Sequence, residues 1–233
     1  MTELLLETLK NHQPSFHPVV RFDHSKDKLL PIDITDQNTE LTDEILSDFQ
    51  KFSDHIYLKL NTANARFGFG GYAEHRKVYH FHKVFDPSLT GEEPRRFHLG
   101  TDIWGKPHTP VMAPLNGIVH SFAFNDNHGD YGATIILTHQ LDGIVFHTLY
   151  GHLSLNDLKN LEEGQRIEKG DIFCEFGIPA DNGHWPPHLH FQIIIDLEGK
   201  SGDYPGVCAF SQRHRYLQNC PDPDLILNMN RFI

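Results

Sequence analysis

The stretch "ATIILTHQLDGIVFHTLY" (133–150) leaves the backbone little freedom. Two runs rich in β-branched and aromatic residues are split by Asp142-Gly143, a pair that tolerates the positive φ of a tight turn. The segment is therefore expected to fold as two adjacent antiparallel strands. Further short β-type runs, "NGIVHSFAF", "DIFCEFGI" and "LHFQIII", are bounded by Gly, Pro, Asn and Asp clusters. Residues 71–200 read as a mainly β, antiparallel domain. Up to about residue 70 the chain is polar and helix-leaning. Leu41, Ile45, Phe49, Phe52 and Ile56 recur at helical spacing behind Thr42 as a cap, with Asp43 and Glu44 in the first turn. This N-terminal extension is expected to be partly helical and packed on the core. "SLNDLKNLEEG", from Ser154 to Gly164, reads as a helix within the β domain, and residues 201–233 as an irregular tail.

Composition bounds what such a chain does. At 233 residues and 39% hydrophobic it can bury one good-sized core. Twenty basic against 31 acidic residues give a formal charge of -11, which disfavours nucleic acid and anionic lipid as partners. No apolar run reaches membrane-spanning length. The amino terminus "MTELLLETLKNHQ" brackets three leucines with Glu3 and Glu7, unlike a secretory signal, so the expected location is cytoplasmic. Cys174, Cys208 and Cys220, odd in number and widely spaced, suit free thiols in a reducing compartment.

The histidines carry the chemistry. In "WPPHLHFQIII" (185–195), period-2 alternation sets His188, His190 and Gln192 on one strand face and Leu189, Phe191, Ile193 and Ile195 on the other. Side chains two apart on a strand can reach one ion or one substrate. In "FHLGTDIW", His98 and Asp102 lie four apart across Gly100, in a loop or bent strand able to turn both toward one point. Two such residues with an imidazole from the 188/190 strand would give zinc three protein ligands and leave a fourth position open, the arrangement of a catalytic site. His152, in "TLYGHLS", stands at a strand end where a scaffold delivers reactive groups.

The motifs "HLGTD", "TPVMAPLNGIV", "YGATIILTH", "YGHLS", "EEGQRIEKGD" and "PPHLHF", in this order over residues 97–195, resemble the lysostaphin-type zinc metallopeptidases, which cut peptide cross-links or cross-bridges of peptidoglycan. The resemblance implies a compact antiparallel β sandwich with the metal in a groove across one sheet. It implies one Zn2+ per chain held by His98, Asp102 and His190, with His152 and His188 as the catalytic, non-ligand histidines, and a peptide or amide substrate. The loops "GDYGA" and "DNGHWPP" would wall the groove. "GGYAEHRKVY", "NGHWPPHLHFQ", "YPGV" and "CPDP" are also similar to the peptidase-like middle segment of larger proteins that carry kinase-like and class III aminotransferase domains.

The expected chemistry is hydrolysis by a metal-activated water, with His152 and His188 moving protons and stabilising the oxyanion. A zinc-loaded regulatory module without turnover, and a cytoplasmic hydrolase of small amides, are the competing readings. Glu74 and Arg76 in "GGYAEHR" are read as exposed charges on a glycine-rich loop, ordinarily just solvated, with binding of substrate termini as the alternative. His80 and His82 are read as a strand face, and His120, His128, His139, His147 and His184 as structural or surface groups, with His139 and His184 able to line the groove.

Overall fold

The computed structural model describes residues 2–86 and 91–233. Helix α1 (Thr2–His12) leads to strand β1 (Leu29–Pro31), helices α2 (Asp43–Leu46) and α3 (Phe49–Ala63), and strand β2 (Phe67–Gly70). Short 3-10 turns at Lys77–Phe81 and Lys83–Phe85 precede strands β3 (Arg95–His98), β4 (Thr101–Trp104), β5 (Pro110–Met112), β6 (Gly117–Asn125), β7 (Gly132–Leu141) and β8 (Ile144–Leu153). Strands β9 (Arg166–Ile167), β10 (Ile172–Glu175), β11 (His188–Ile194) and β12 (Val207–Ala209) follow, then helices α4 (Arg213–Asn219) and α5 (Asp224–Leu227).

The architecture is mostly β. Eight strands form one sheet in the order β1-β2-β4-β11-β8-β7-β6-β9, and β10-β5 and β12-β3 form two-stranded sheets. The large sheet is antiparallel apart from its β1–β2 edge, so it is mixed. Asp142 (φ 50°) and Gly143 (φ 82°) make the turn between β7 and β8, both in the left-handed region that the Asp-Gly pair tolerates. Among the described residues no helix is long and apolar enough to cross a membrane.

Both faces of the sheet are buried. On one, Leu189, Phe191 and Ile193 of β11 and Ile103 of β4 pack with Leu5 and Leu9 of α1 and with Ile226 and Leu227 of α5. The other face carries two apolar clusters. The first joins Ile32, Ile34, Phe52, Ile56, Leu60, Val78, Tyr79 and Phe85 to Trp104, Trp185 and Val207. The second gathers Phe97, Leu99, Tyr131, Leu149, Ile194, Tyr204 and Cys220. The polar strand face of β11 meets this covered side.

Several elements depart from the sequence-based expectation. Residues 41–56 form two helices, because Asp48 starts a second one by accepting hydrogen bonds from the Gln50 and Lys51 backbone N–H groups at 2.9 and 3.1 Å. Thr42 caps the first as expected, accepting from the Ile45 N–H. After Ser154 the chain makes only a 3-10 turn, Leu155–Leu158, and the Asp157 carboxylate accepts a hydrogen bond from the Glu175 N–H at 2.8 Å. The segment around His80 and His82 is 3-10 rather than strand. His80 is exposed, whereas His82 is buried against His128 and Trp185. Residues 201–233 contain β12, α4 and α5 and bury Tyr204, Cys220 and Ile226, so they are more regular than a loose tail.

Candidate metal centre

Strand register assembles the site. In the β4–β11 ladder His190 pairs directly with Asp102 and His188 with Trp104, and on the other edge of β11 His190 faces Gly151 of β8, one residue before His152. His98 ends β3, and Leu99-Gly100 turns the chain into β4. Gly100 is required here: a Cβ would lie 2.4 Å from the His190 ring. His98 Nε2 lies 2.9 Å from His190 Nδ1, and Asp102 Oδ1 lies 3.2 Å from His190 Nδ1 and 3.4 Å from His98 Nε2. Two ligands at about 2.0–2.1 Å from a tetrahedral zinc stand roughly 3.3 Å apart, so this spacing fits the ion. Among the described residues these three form the cluster whose donor atoms all lie within 4.8 Å of one another.

Tautomers follow from the outer hydrogen bonds. A carbonyl oxygen only accepts, so His98 Nδ1–H donates to Gly71 O at 2.7 Å and His190 Nε2–H to Gln192 Oε1 at 3.0 Å. Gln192 is itself fixed by donating its amide N–H to Pro205 O. The inward nitrogens of both rings are then bare lone pairs facing each other, beside a carboxylate oxygen. Such an arrangement is favourable only with a cation between them, and outer partners of this kind are what orient metal-ligating histidines. Burial and the nearby Arg76 cation push the His98 pKa down to about 3. Burial opposes ionisation of Asp102, but His98 and Arg76 beside it hold its carboxyl well below the usual range.

His152 and His188 complete the cluster, their ring centroids 4.2 Å apart. His152 Nδ1–H donates to Asn182 O at 2.9 Å and His188 Nδ1–H to Pro186 O at 2.6 Å, which leaves both Nε2 atoms unprotonated. His188 Nε2 is 3.9 Å from Asp102 Oδ1. Burial drives the His188 pKa down to about 4, and burial with the adjacent His188 drives that of His152 well below its ordinary value. His152 is held at φ 63°, a conformation costly for a residue with a Cβ and one that concentrates at functional positions.

Arg76 is not the exposed loop charge expected. It is 2% exposed; its Nη1 donates to Asp102 Oδ2 at 2.7 Å and to the Tyr79 hydroxyl at 3.1 Å, and its Nε donates to Glu74 Oε1 at 2.6 Å. The guanidinium enters over Gly71, where a Cβ would lie 1.8 Å from Nη2. Burial raises the Glu74 pKa, with Arg76 opposing. Gln192 and Arg76 are the positioning groups that motif reading missed. Gln192 was visible on the histidine face of its strand, whereas nothing local signals the burial of Arg76. His139 does not line the cavity: it bonds Asn116 O and the Thr148 hydroxyl, at 2.9 and 2.7 Å. His184 stacks on His128 outside the cavity lining.

Residues 96–203 match the model of peptidase family M23. Over this segment the chain is similar to peptidase family M23. The chain is 28% identical over 130 residues to the L-Ala--D-Glu endopeptidase of Bacillus subtilis, a match covering 52% of this chain and 37% of that protein. It is 33% identical over 101 residues to an uncharacterized metalloprotease of Haemophilus influenzae, covering 43% of this chain and 19% of the relative. The chain thus spans well under half the length of these curated relatives. The catalytic domain of the antimicrobial peptidase lysostaphin from Staphylococcus simulans is 21% identical with a TM-score of 0.41, over 68% of this chain and 96% of that one. The M23 segment contains all five clustered residues, while Arg76 lies outside it.

Proposed function

We propose that the chain is a zinc-dependent hydrolase of peptide or other amide bonds, with His98 Nε2, Asp102 Oδ1 and His190 Nδ1 as metal ligands. The observation that carries this reading is the set of inward lone pairs around one point, each fixed by an outer hydrogen bond, beside two further imidazoles with free Nε2 atoms. When bound, zinc supplies Lewis acidity toward a carbonyl and brings the pKa of its water to about 7. Asp102, its second oxygen held by Arg76, keeps one oxygen toward the metal position. His152 and His188, neutral because burial lowers their pKa values, take up the proton released on attack and return it to the leaving amine. Asp102 favours the protonated form of both rings. Overall the water oxygen joins the acyl carbon, the C–N bond breaks, and the amine leaves with the transferred proton.

The name of the Bacillus relative makes peptidoglycan-type peptides one substrate class to test. The experiment combines metal analysis of protein purified without added metal with amine release from muropeptides, glycine-rich peptides and small amides. Zinc with chelator-sensitive turnover is expected. Zinc without turnover on any member would support a binding module instead, and a folded chain that takes up no zinc would remove the site.

A further inference from the structure

The five clustered side chains do not lie in an open trough. His98, Asp102, His188 and His190 are at most 4% exposed and His152 is 7% exposed. The cover comes from outside the M23 segment: Ile34, Phe52, Val78, Tyr79 and Phe85 share one apolar cluster with Trp104 and Trp185. The same five residues line the cavity that His98, His152, His188 and His190 border. That cavity has a volume of about 50 Å³, against roughly 10–15 Å³ needed by one water on the same measure, so it has room for a few waters or one compact molecule.

A peptide strand crossing a metal centre advances about 3.3 Å per residue and needs a channel open on both sides of the scissile bond. Seating a cross-linked polymer here would mean lifting the whole 31–86 layer from Trp104 and Trp185 and exposing their shared apolar cluster. Admitting a compact molecule asks only for side-chain adjustment at the cavity wall. A second observation points to a ligand of that kind. Trp185 lines the cavity, is 6% exposed, and its Nε1 has no hydrogen-bond partner among the described residues. A buried donor left this way calls for an acceptor atom on whatever fills the space.

We propose that this centre acts on a small free amide rather than on a polymer, with the substrate seated in the cavity that Trp185, His152 and His188 border and offering a hydrogen-bond acceptor to Trp185 Nε1. The proposal rests on the amide-hydrolase reading above. It makes the 31–86 layer a determinant of substrate size.

The test uses the full chain loaded with Co2+, whose visible absorption reports ligands entering the coordination sphere, and two probes: acetohydroxamate and the hydroxamate of tetraalanine. Acetohydroxamate is expected to change the spectrum saturably, and the tetraalanine probe to bind roughly tenfold or more weakly. Trp185→Phe, which keeps a ring and removes the donor, is expected to weaken acetohydroxamate binding while leaving cobalt uptake intact. Equal or tighter binding of the longer probe, or binding of neither, overturns the small-substrate assignment and leaves the metal centre standing. A chain that takes up no cobalt overturns both.

Discussion

His139 and His190 are both buried imidazoles on strands of the same sheet, and they teach opposite lessons. Each ring nitrogen of His139 has a protein partner, Asn116 O and the Thr148 hydroxyl. It is a satisfied core residue. His190 has only its outer nitrogen satisfied by Gln192, while its inner nitrogen faces the inner nitrogen of His98 and a carboxylate oxygen. Burial of a histidine therefore says little about function. An inward lone pair whose tautomer is fixed from behind says much more.

The largest effect that sharpens this contrast is catalytic. His152→Ala removes an imidazole assigned to proton transfer but not to metal binding, so turnover should drop roughly 10²- to 10⁴-fold with zinc content unchanged. Parallel rate and metal measurements check it, and loss of zinc in this variant would place His152 among the ligands. Next is Arg76→Met, which keeps much of the side-chain volume but releases Asp102 Oδ2 and leaves the carboxylate buried without its cation. Zinc affinity, measured by competition with a chelator, should weaken by about 10- to 100-fold, the range seen when groups behind a metal ligand are lost. Unchanged affinity would show that Asp102 is oriented without Arg76.

The smallest expected effect lies at His139, where burial lowers the pKa from its ordinary 6.5 to about 4. Between those values the unfolded chain binds the extra proton and the folded chain does not, so stability rises with pH across this window and is lost as pH falls from 6.5 toward 4. The full shift corresponds to of order 3 kcal/mol. In metal-free protein, His139→Gln should flatten the dependence of the urea midpoint on pH in that window and leave zinc affinity at neutral pH unchanged. A change in zinc affinity would break the distinction between the two histidines.

Much of this was legible along the chain. The Asp142-Gly143 turn declares its hairpin because few other pairs tolerate two consecutive positive φ values. The alternation in "HLHFQ" places His188, His190 and Gln192 together, and the β4 register then sets His190 opposite Asp102. Arg76 was illegible for a physical reason. "GGYAEHR" has the texture of a solvated loop, and only the long-range approach of β4 and the space above Gly71 convert its arginine into a buried partner of Asp102. The covering layer was hidden in the same way. Helical spacing in 41–56 announces an amphipathic segment without naming the surface it meets, which proves to be the sheet face bearing the histidines.

The central assignment, that β11 supplies one metal ligand and one proton-transfer group from the same face, is tested most directly by the zinc content of His188→Ala and His190→Ala. Both are measured at equal protein concentration, with circular dichroism to confirm folding. The account predicts that His190→Ala loses the metal and His188→Ala keeps it. An emptied site in His188→Ala with a full one in His190→Ala would contradict it.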